Sequence, residues 1–340
     1  MRIELPISKS IANRLLILQA IHGDGLMTVS CDMPDDVRIM SEAIRLLGER
    51  REARIDLGNC GTAMRFLTAY CAQLEGQTTI LDGIERMRHR PIGQLVDALR
   101  EIGADIEYLG EEGFPPLRIK GCILDKRRIV TINNPQSTQF VSALLLIGAN
   151  VQTDSMSPYI YITQEVIKQY QLSPFSYHLS VEKDWSSAAF WYEYVALHGG
   201  EITLPGLSRD SLQGDKIVAD IFAHLGVRST YTAEGVVISS SPLHPTPYTL
   251  HHDFSACPDL YPAIALTCER LGVELHATGV ESLPLKESDR LRAVREHRTD
   301  ADHRMAMALL IAGYEVDDTA CISKSYPNFI EHFRHINSLK

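Results

Sequence analysis

The chain has 340 residues, enough for two domains that each bury a core of their own. It is 45% hydrophobic and 22% charged and contains no apolar run of membrane-spanning length, as in ordinary globular proteins. The formal net charge of −10 argues against nucleic acid as a general partner.

Cysteine usage indicates the compartment. The seven cysteines are scattered singly and contain no CxxC pair, which argues against a disulfide framework and against a zinc site. The opening residues, MRIELPISKS, are too polar for a signal peptide. We therefore expect a cytoplasmic protein with no bound metal and no membrane partner.

The first predicted helix lies within SKSIANRLLILQAI, residues 8–21. Ser8 or Ser10 can cap it, and capping alone would explain the serines. Lys9 and Arg14, however, stand at the positive end of the helix, where the helix dipole disfavours cations. Cations, hydroxyls and free N–H groups together are typical of an anion site.

Two further helix starts share this character. In DLGNCGTAMRFL, residues 56–67, glycines flank Asn59 and Cys60, so the backbone can approach a ligand closely. A helix-start loop that happens to contain glycine is the plainer explanation of this stretch. In ERMRHRPIGQLVDAL, residues 85–99, a basic cluster that includes Arg90 precedes the proline of a helix start. Such a cluster indicates that something negative binds there.

One unit recurs in both halves of the chain. Residues 95–121 and 217–241 each read as a helix, a glycine and a two-stranded hairpin, which indicates internal duplication. The helices near 39–48, 164–170 and 290–296 lack room for the hairpin, because each of its strands usually needs about five residues. These junctions are either natural deletions or places where mobile loop residues have been omitted from the sequence, and we favour omission.

Later motifs add polar and charged groups at helix starts. PQSTQFVSALLL, residues 135–146, opens with Ser137, Thr138 and Gln139, which suit a polyol or a phosphate but are also explained by capping. PLKESDRLRAV (284–294), DADHRMAMALLIAGY (300–314) and SKSYPNF (323–329) contribute further lysines and arginines. The charge run at 284–294 could be a solvated first turn with i,i+4 pairing. Taken together, the motifs predict a site for several phosphate and carboxylate groups in an acidic protein.

The order of these motifs carries a family resemblance. SKSIANR, GNCGTAMR, RPIGQLVDAL, STQ, DWSSAAF, PDLYPAIA, LKESDRL, DHRMAMA and SKSYPNF follow one another from end to end as in the 3-phosphoshikimate 1-carboxyvinyltransferases (EPSP synthases), which the chain resembles. The resemblance implies an α/β fold, a two-domain inside-out α/β barrel built from repeated βαβαββ units. It also implies a substrate-binding domain at residues 8–183, and a second domain, at 1–7 and 184–340, with the acid–base residues.

The resemblance also implies the site residues. Those matching the phosphoenolpyruvate contacts are Lys9, Asn59, Gly61, Arg90, Arg290, Arg304 and Lys324. Those matching the shikimate 3-phosphate contacts are Ser10, Arg14, Ser137, Thr138, Gln139, Ser157, Asp259 and Lys286. Those matching the catalytic groups are Asp259, Glu287 and Lys9. Around Ser157 the family pattern is displaced by one position, and the retained Gly61 implies sensitivity to glyphosate.

The implied reaction joins the enolpyruvyl group of phosphoenolpyruvate to the 5-hydroxyl of shikimate 3-phosphate and releases phosphate, without a cofactor. The expected partners are these two small molecules, and the expected state is a monomer. One alternative is the related transferase that acts on UDP-N-acetylglucosamine. That enzyme normally carries a reactive cysteine in a mobile loop, whereas the corresponding stretch here, RMRHRPIG, has none. Another alternative is a non-catalytic, ligand-binding paralogue.

Overall fold

The computed structural model describes residues 1–172, 181–241 and 249–338. The chain divides into two compact units. The first unit comprises Lys9–Cys31 and Asp36–Ser180, and the second unit comprises Met1–Ser8, Asp32–Asp35 and Val181–Lys340. The boundaries thus fall after residues 8 and 180, and residues 32–35 join the second unit, which the sequence did not indicate.

Seven helices and six strands lie in or begin next to the first unit as described. The helices are α1 (Lys9–His22), α2 (Asp35–Glu49), α3 (Gly61–Ala72), α4 (Glu85–Arg88), α5 (Gly93–Glu101), α6 (Thr138–Leu146) and α7 (Pro158–Leu172). The strands are β1 (Glu52–Asp56), β2 (Thr78–Asp82), β3 (Asp105–Tyr108), β4 (Leu117–Lys120), β5 (Ile129–Thr131) and β6 (Asn150–Gln152). One sheet has the order β1-β2-β4-β3, with β1 and β2 parallel and the other pairs antiparallel, and β5 and β6 form a separate parallel pair.

The described part of the second unit contains six α-helices and five strands. The helices are α8 (Trp185–His198), α9 (Val218–Ala223), α10 (Tyr261–Leu271), α11 (Arg290–Glu296), α12 (His303–Ile311) and α13 (Phe329–Ser338). The strands are β7 (Glu201–Pro205), β8 (Val227–Tyr231), β9 (Gly235–Ser240), β10 (Thr249–Asp253) and β11 (Glu274–Thr278). An antiparallel sheet has the order β7-β9-β8, and β10 pairs with β11 in parallel.

The predicted helix–hairpin repeat is confirmed in both units. After α5, Gly103 takes a φ of +100° and leads into the antiparallel pair β3–β4. After α9, Gly226 takes a φ of +84° and leads into the antiparallel pair β8–β9. Glycine is needed at these two helix ends because a side chain disfavours the left-handed region.

The predicted lack of a hairpin at two junctions is also confirmed. Two residues separate α2 from β1, and six residues separate α11 from α12. The third junction, after residue 172, lies outside the described residues.

Helix α8 forms the centre of the second unit's core. Asp184 caps its first turn by accepting a hydrogen bond from the Ser187 backbone N–H at 3.0 Å. Trp185, Trp191 and Tyr192 are fully buried in the surrounding apolar cluster. Within the described part of the chain, no helix has the length and hydrophobicity needed to cross a membrane.

Candidate active site

The second unit gathers its predicted site residues around Asp259. This residue lies in the short 3-10 turn Pro258–Leu260, immediately before α10. Its Oδ1 accepts a hydrogen bond from Arg290 at 2.8 Å, and its Oδ2 accepts one from Arg304 at 2.9 Å. The ammonium of Lys286 lies 3.5 Å from Oδ1. Three cations therefore converge on one carboxylate.

Arg290, the first residue of α11, is the hub of this cluster. Its side chain is 1% exposed, and four of its five N–H groups are engaged. Nε donates to Asp302 Oδ2 at 2.8 Å, and Nη2 donates to Glu287 Oε2 at 3.1 Å. Burial lowers the pKa of Arg290, but the negative charges of Asp302, Asp259 and Glu287 raise it on balance. The guanidinium is thus permanently charged and held in one orientation.

Glu287 extends the cluster to Lys324. The Lys324 ammonium lies 3.0 Å from Glu287 Oε1, and both side chains are about nine-tenths buried. All six residues predicted for this unit therefore belong to one ion-pair network: Asp259, Lys286, Glu287, Arg290, Arg304 and Lys324. With Asp302 included, the network holds four cations and three carboxylates.

Two buried acids, Asp259 and Asp215, have pKa values that are shifted in opposite directions. Burial raises the pKa of Asp259, but the charges of Arg304, Lys286 and Arg290 outweigh burial and hold it well below the usual value. Asp215 behaves in the opposite way, because burial and the nearby charge of Asp259 raise its pKa to about 7. The Ser186 hydroxyl donates a hydrogen bond to Asp215. The structure thus places an ionised carboxylate near an acid that titrates close to neutrality.

In the first unit, the start of α1 carries two of the predicted cations. The Lys9 ammonium donates to Asp36 Oδ2 at 2.8 Å, and both side chains are largely buried. Arg14 is also buried and donates to the Ser10 carbonyl at 2.6 Å, to Thr163 Oγ1 at 2.7 Å and to the Tyr159 carbonyl at 3.0 Å. Burial lowers the pKa of Arg14 to about 10.

The start of α3 is in close contact with Arg90. Gly61 is the first residue of this helix, and Asn59 lies two residues before it. A Cβ atom at Gly61 would lie only 2.6 Å from Arg90 Nη1 and 2.8 Å from its Cζ. Arg90 is buried, and its guanidinium can come this close to the start of α3 because Gly61 has no side chain.

The start of α6 lies next to the start of α3. Ser137 caps α6 by accepting a hydrogen bond from the Gln139 N–H at 3.3 Å, and Thr138 is the first helical residue. The Gln139 side-chain amide donates to Thr62 Oγ1 at 2.9 Å. Ser157 lies before α7, where its hydroxyl accepts a hydrogen bond from the Tyr159 N–H at 3.3 Å.

These contacts join the predicted residues of the first unit. Cys60 Sγ lies 3.8 Å from the Asp36 carbonyl, which links the Lys9 pair to the start of α3. Tyr159, in contact with both Arg14 and Ser157, links α1 to α7. The structure therefore brings together the predicted residues within each unit.

The sequence did not indicate three carboxylates that support these groups. Asp302 stands directly before α12 and has the sequence character of an ordinary helix cap, but it also binds Arg290. Asp36 lies in an acidic pair at a helix start and resembles an ordinary cap. Asp215 follows a glycine in a polar turn. A surplus of cations over predicted carboxylates was the one available signal, because buried cations need anionic partners.

Comparison with known proteins identifies the relatives of this chain. The family model described as EPSP synthase (3-phosphoshikimate 1-carboxyvinyltransferase) matches residues 1–173, 147–297 and 295–333. A 3-phosphoshikimate 1-carboxyvinyltransferase of Bacteroides fragilis is 37% identical over 394 positions, covering 98% of this chain and 94% of the relative. One from Cellvibrio japonicus is 31% identical, covering 99% and 96%.

Solved structures agree at the level of the fold. An EPSP synthase from Acinetobacter baumannii superposes with a TM-score of 0.65 at 19% identity, covering 98% of this chain and 95% of that one. The mixed α/β fold is therefore similar to that of EPSP synthases.

The relatives are longer than this chain at internal positions. The alignment with the Bacteroides fragilis relative runs over 394 positions, whereas 98% of 340 residues is about 333, so about 61 of its positions face gaps in this chain. The pieces of the family match meet or overlap at 147–173 and 295–297, near junctions that the sequence marked as short.

Proposed function

Because this chain belongs to the EPSP synthase (3-phosphoshikimate 1-carboxyvinyltransferase) family, we propose that it transfers the enolpyruvyl group of phosphoenolpyruvate to the 5-hydroxyl of shikimate 3-phosphate and releases phosphate. The observation that carries the proposal, beside the family match, is the ion-pair network around Asp259 and Arg290. It combines two carboxylates suited to proton transfer with four cations suited to a phosphate and a carboxylate.

We also propose the detailed architecture of the two units. We assign to each unit the inside-out α/β barrel of repeated βαβαββ units that the sequence resemblance implies. The helix–hairpin repeat in both units, with Gly103 and Gly226 in matching positions, supports this assignment. We also assign substrate binding to residues 8–183 and the acid–base residues to 1–7 and 184–340.

We assign the predicted residues to the two substrates by matching cations and polar groups to the substrates' anionic and hydroxyl groups. Phosphoenolpyruvate is assigned to cations and to backbone that a ligand can approach closely, namely Lys9, Asn59, Gly61, Arg90, Arg290, Arg304 and Lys324. Shikimate 3-phosphate is assigned to hydroxyl, amide and cationic groups, namely Ser10, Arg14, Ser137, Thr138, Gln139, Ser157, Asp259 and Lys286. Arginine suits these anions because its planar guanidinium can bind two oxygens at once.

The proposed chemistry is an addition followed by an elimination and includes three proton transfers. The 5-hydroxyl loses a proton and attacks C2 of phosphoenolpyruvate while the C3 methylene gains a proton, which produces a tetrahedral ketal. Phosphate then leaves as the C3 methyl group gives up a proton, and the enol ether forms. Asp259 and Glu287, with Lys9, are the proposed proton carriers. Protein cations neutralise the charge throughout, so the scheme uses no cofactor.

The low pKa of Asp259 supports the role of a general base rather than a general acid. A carboxylate that stays ionised at neutral pH can accept the proton of the 5-hydroxyl. The three cations that lower this pKa, Arg304, Lys286 and Arg290, are also assigned to the substrates, so binding of an anionic substrate would weaken their interaction with Asp259 and raise its basicity.

The decisive assay measures phosphate release from phosphoenolpyruvate by the purified full-length protein, with and without shikimate 3-phosphate. We expect release only with this acceptor and a 10²–10⁴-fold lower rate in Asp259→Asn, the range expected for loss of a general acid–base group. Asp220→Asn is the matched control, because Asp220 is an exposed aspartate on α9.

The outcomes separate the alternatives. Release with UDP-N-acetylglucosamine in place of shikimate 3-phosphate would identify the related transferase instead. Absence of release with both acceptors would indicate the non-catalytic paralogue. Equal rates in Asp259→Asn and the unmodified protein would refute the role assigned to Asp259.

A further inference from the structure

Three helices of the second unit begin at the ion-pair network. The turn that carries Asp259 leads directly into α10, Arg290 is the first residue of α11, and Arg304 is the second residue of α12. The hydrogen bonds from Arg290 and Arg304 to Asp259 therefore tie the amino-terminal ends of these helices together.

The carboxyl-terminal ends of the same three helices also meet. Glu269 lies in the last turn of α10, His297 directly follows α11, and Tyr314 lies three residues beyond α12. His297 Nε2 is 2.9 Å from Glu269 Oε1 and 3.1 Å from Oε2, and the Tyr314 hydroxyl donates to the same carboxylate. We call Glu269, His297 and Tyr314 the C-terminal clamp.

Ring contacts reinforce the clamp. The rings of His297 and Tyr314 stack with centroids 4.0 Å apart and planes 18° apart. The guanidinium of Arg270 lies over the Tyr314 ring, 5.7 Å from the ring centroid. Because a carboxylate only accepts hydrogen bonds, His297 must carry its hydrogen on Nε2 toward Glu269.

The contacts of Glu269 compensate for its unfavourable position at the end of a helix. Glu269 stands at the negative end of α10, where a carboxylate is disfavoured. His297 and Tyr314 compensate by donating hydrogen bonds to it, and Arg270 adds a nearby positive charge. Partial burial raises the pKa of Glu269, but hydrogen bonds from Tyr314 and His297 lower it on balance. The carboxylate is thus ionised and committed to the clamp.

The connector between α11 and α12, residues 297–302, has a strained backbone that needs stabilising contacts. His297, Asp300 and Ala301 have φ values of +52°, +46° and +56°, in the left-handed region that side chains disfavour, alanine especially. Two backbone hydrogen bonds close the connector: Arg298 N–H to the Ala293 carbonyl at 3.0 Å, and Asp302 N–H to the Thr299 carbonyl at 2.9 Å.

This connector is also where the chain departs from its family. Two pieces of the family match meet at residues 295–297, and the sequence lacks room there for the hairpin of the repeat. The clamp therefore occupies a place where the relatives' pattern is interrupted.

We propose that the C-terminal clamp is a positioning device that fixes the tilt of α11 and α12 and thereby places Arg290 and Arg304 for phosphoenolpyruvate; this rests on the proposed function. Helix α11 has seven residues and is about 10 Å long at about 1.5 Å per residue. A tilt of about 5° over that length moves its far end by about 0.9 Å. Displacements of this size can alter catalysis strongly. His297 is a positioning residue, since it acts through the helix.

The test compares His297→Asn, Glu269→Gln and the double variant. Asparagine tolerates the left-handed backbone, so His297→Asn removes the clamp contacts without adding backbone strain. We expect the KM for phosphoenolpyruvate to rise about fivefold in each single variant, the scale of a partly exposed ion pair, while the KM for shikimate 3-phosphate stays unchanged. The double variant should show no further rise, because both changes remove one unit.

His276→Asn is the matched control. His276 also lies beside a carboxylate, Glu274, at 3.1 Å, but on β11 rather than at the end of a helix that carries an arginine of the network. We expect its kinetic constants to equal those of the unmodified protein.

Two results would overturn the proposal. One is a lower melting temperature in His297→Asn with both KM values unchanged, which would make the clamp merely structural. The other is an additive double variant, which would mean that Glu269 and His297 act independently. Failure of the proposed function would look different, because the unmodified protein itself would then release no phosphate.

Discussion

Replacing Gly61 by alanine tests whether the close approach of Arg90 to α3 serves phosphoenolpyruvate binding. The new methyl group would lie 2.6 Å from Arg90 Nη1 and 2.8 Å from Cζ and Nη2, closer than real Cβ contacts. The clashing atoms are the end of a flexible side chain, so Arg90 will move and α3 will stay in place. The backbone at Gly61 is not left-handed, and alanine itself adds no strain there.

The displacement can be worked from these distances. An unstrained carbon contact needs about 3.5 Å, so Nη1 must retreat by about 0.9 Å. Misplacement of a binding group by about 1 Å can cost up to about 100-fold, and a side chain that retains part of its contact should cost about tenfold, or about 1.4 kcal/mol. We therefore expect the KM for phosphoenolpyruvate to rise about tenfold.

Steady-state kinetics with both substrates and with glyphosate measure the effect. The unmodified protein should be inhibited by glyphosate in competition with phosphoenolpyruvate, and Gly61→Ala should be less sensitive, since glyphosate resembles phosphoenolpyruvate in the family's site. The KM for shikimate 3-phosphate and the melting temperature should stay within error. Gly93→Ala is the matched control, because Gly93 also begins a helix but a methyl group there would meet nothing closer than 3.4 Å.

The reasoning would be refuted by a Gly61→Ala variant that folds normally and keeps the original KM for phosphoenolpyruvate and the original glyphosate inhibition. An equal loss of affinity for both substrates would also count against it, because the clash involves Arg90 alone.

Two further predictions concern stability. Asp302→Asn keeps a residue able to cap α12 but removes the charge that Arg290 binds at 2.8 Å, so urea denaturation should show that the free energy of unfolding falls by about 3 kcal/mol. The control Asp300→Asn affects exposed ion pairs and should lower it by less than about 1 kcal/mol. Equal losses in the two variants would contradict this prediction. Burial raises the pKa of Glu193 well above its usual value, and within the described structure neither of its carboxyl oxygens has a hydrogen-bond partner. Above the ordinary pKa of about 4.3 the unfolded state releases this proton while the folded state keeps it, so stability falls as pH rises until the folded pKa is passed. Glu193→Leu should therefore stabilise the protein by about 1–3 kcal/mol at neutral pH, and thermal unfolding should show a larger gain at pH 8 than at pH 5; a gain independent of pH would contradict the burial argument.

Helix starts were predictable because their signals are local. Cations beside capping residues at the starts of α1, α11 and α12 are visible within a few residues of sequence, and the dipole argument needs nothing further. The glycines at 103 and 226 likewise specify left-handed helix ends by their chemistry alone. For the same reason the helix–hairpin repeat was predictable in both units.

The partners of those cations were not predictable, because they come from distant parts of the chain. Arg290 and Asp259 are 31 positions apart, and Lys9 and Asp36 are 27 apart. A charged residue in sequence usually indicates a solvated surface. Only folding shows that Asp302 is fully buried against Arg290.

The sequence by itself therefore determined the family, through the order of its motifs, and the residues that carry charge at helix starts. Tertiary structure alone decided which acids are ionised, which arginines are locked, and that Glu269, His297 and Tyr314 meet at one end of three helices. The physical reason is that pKa values and ion pairs depend on burial and on distances of a few ångströms, and both are set by packing between segments that are remote along the chain.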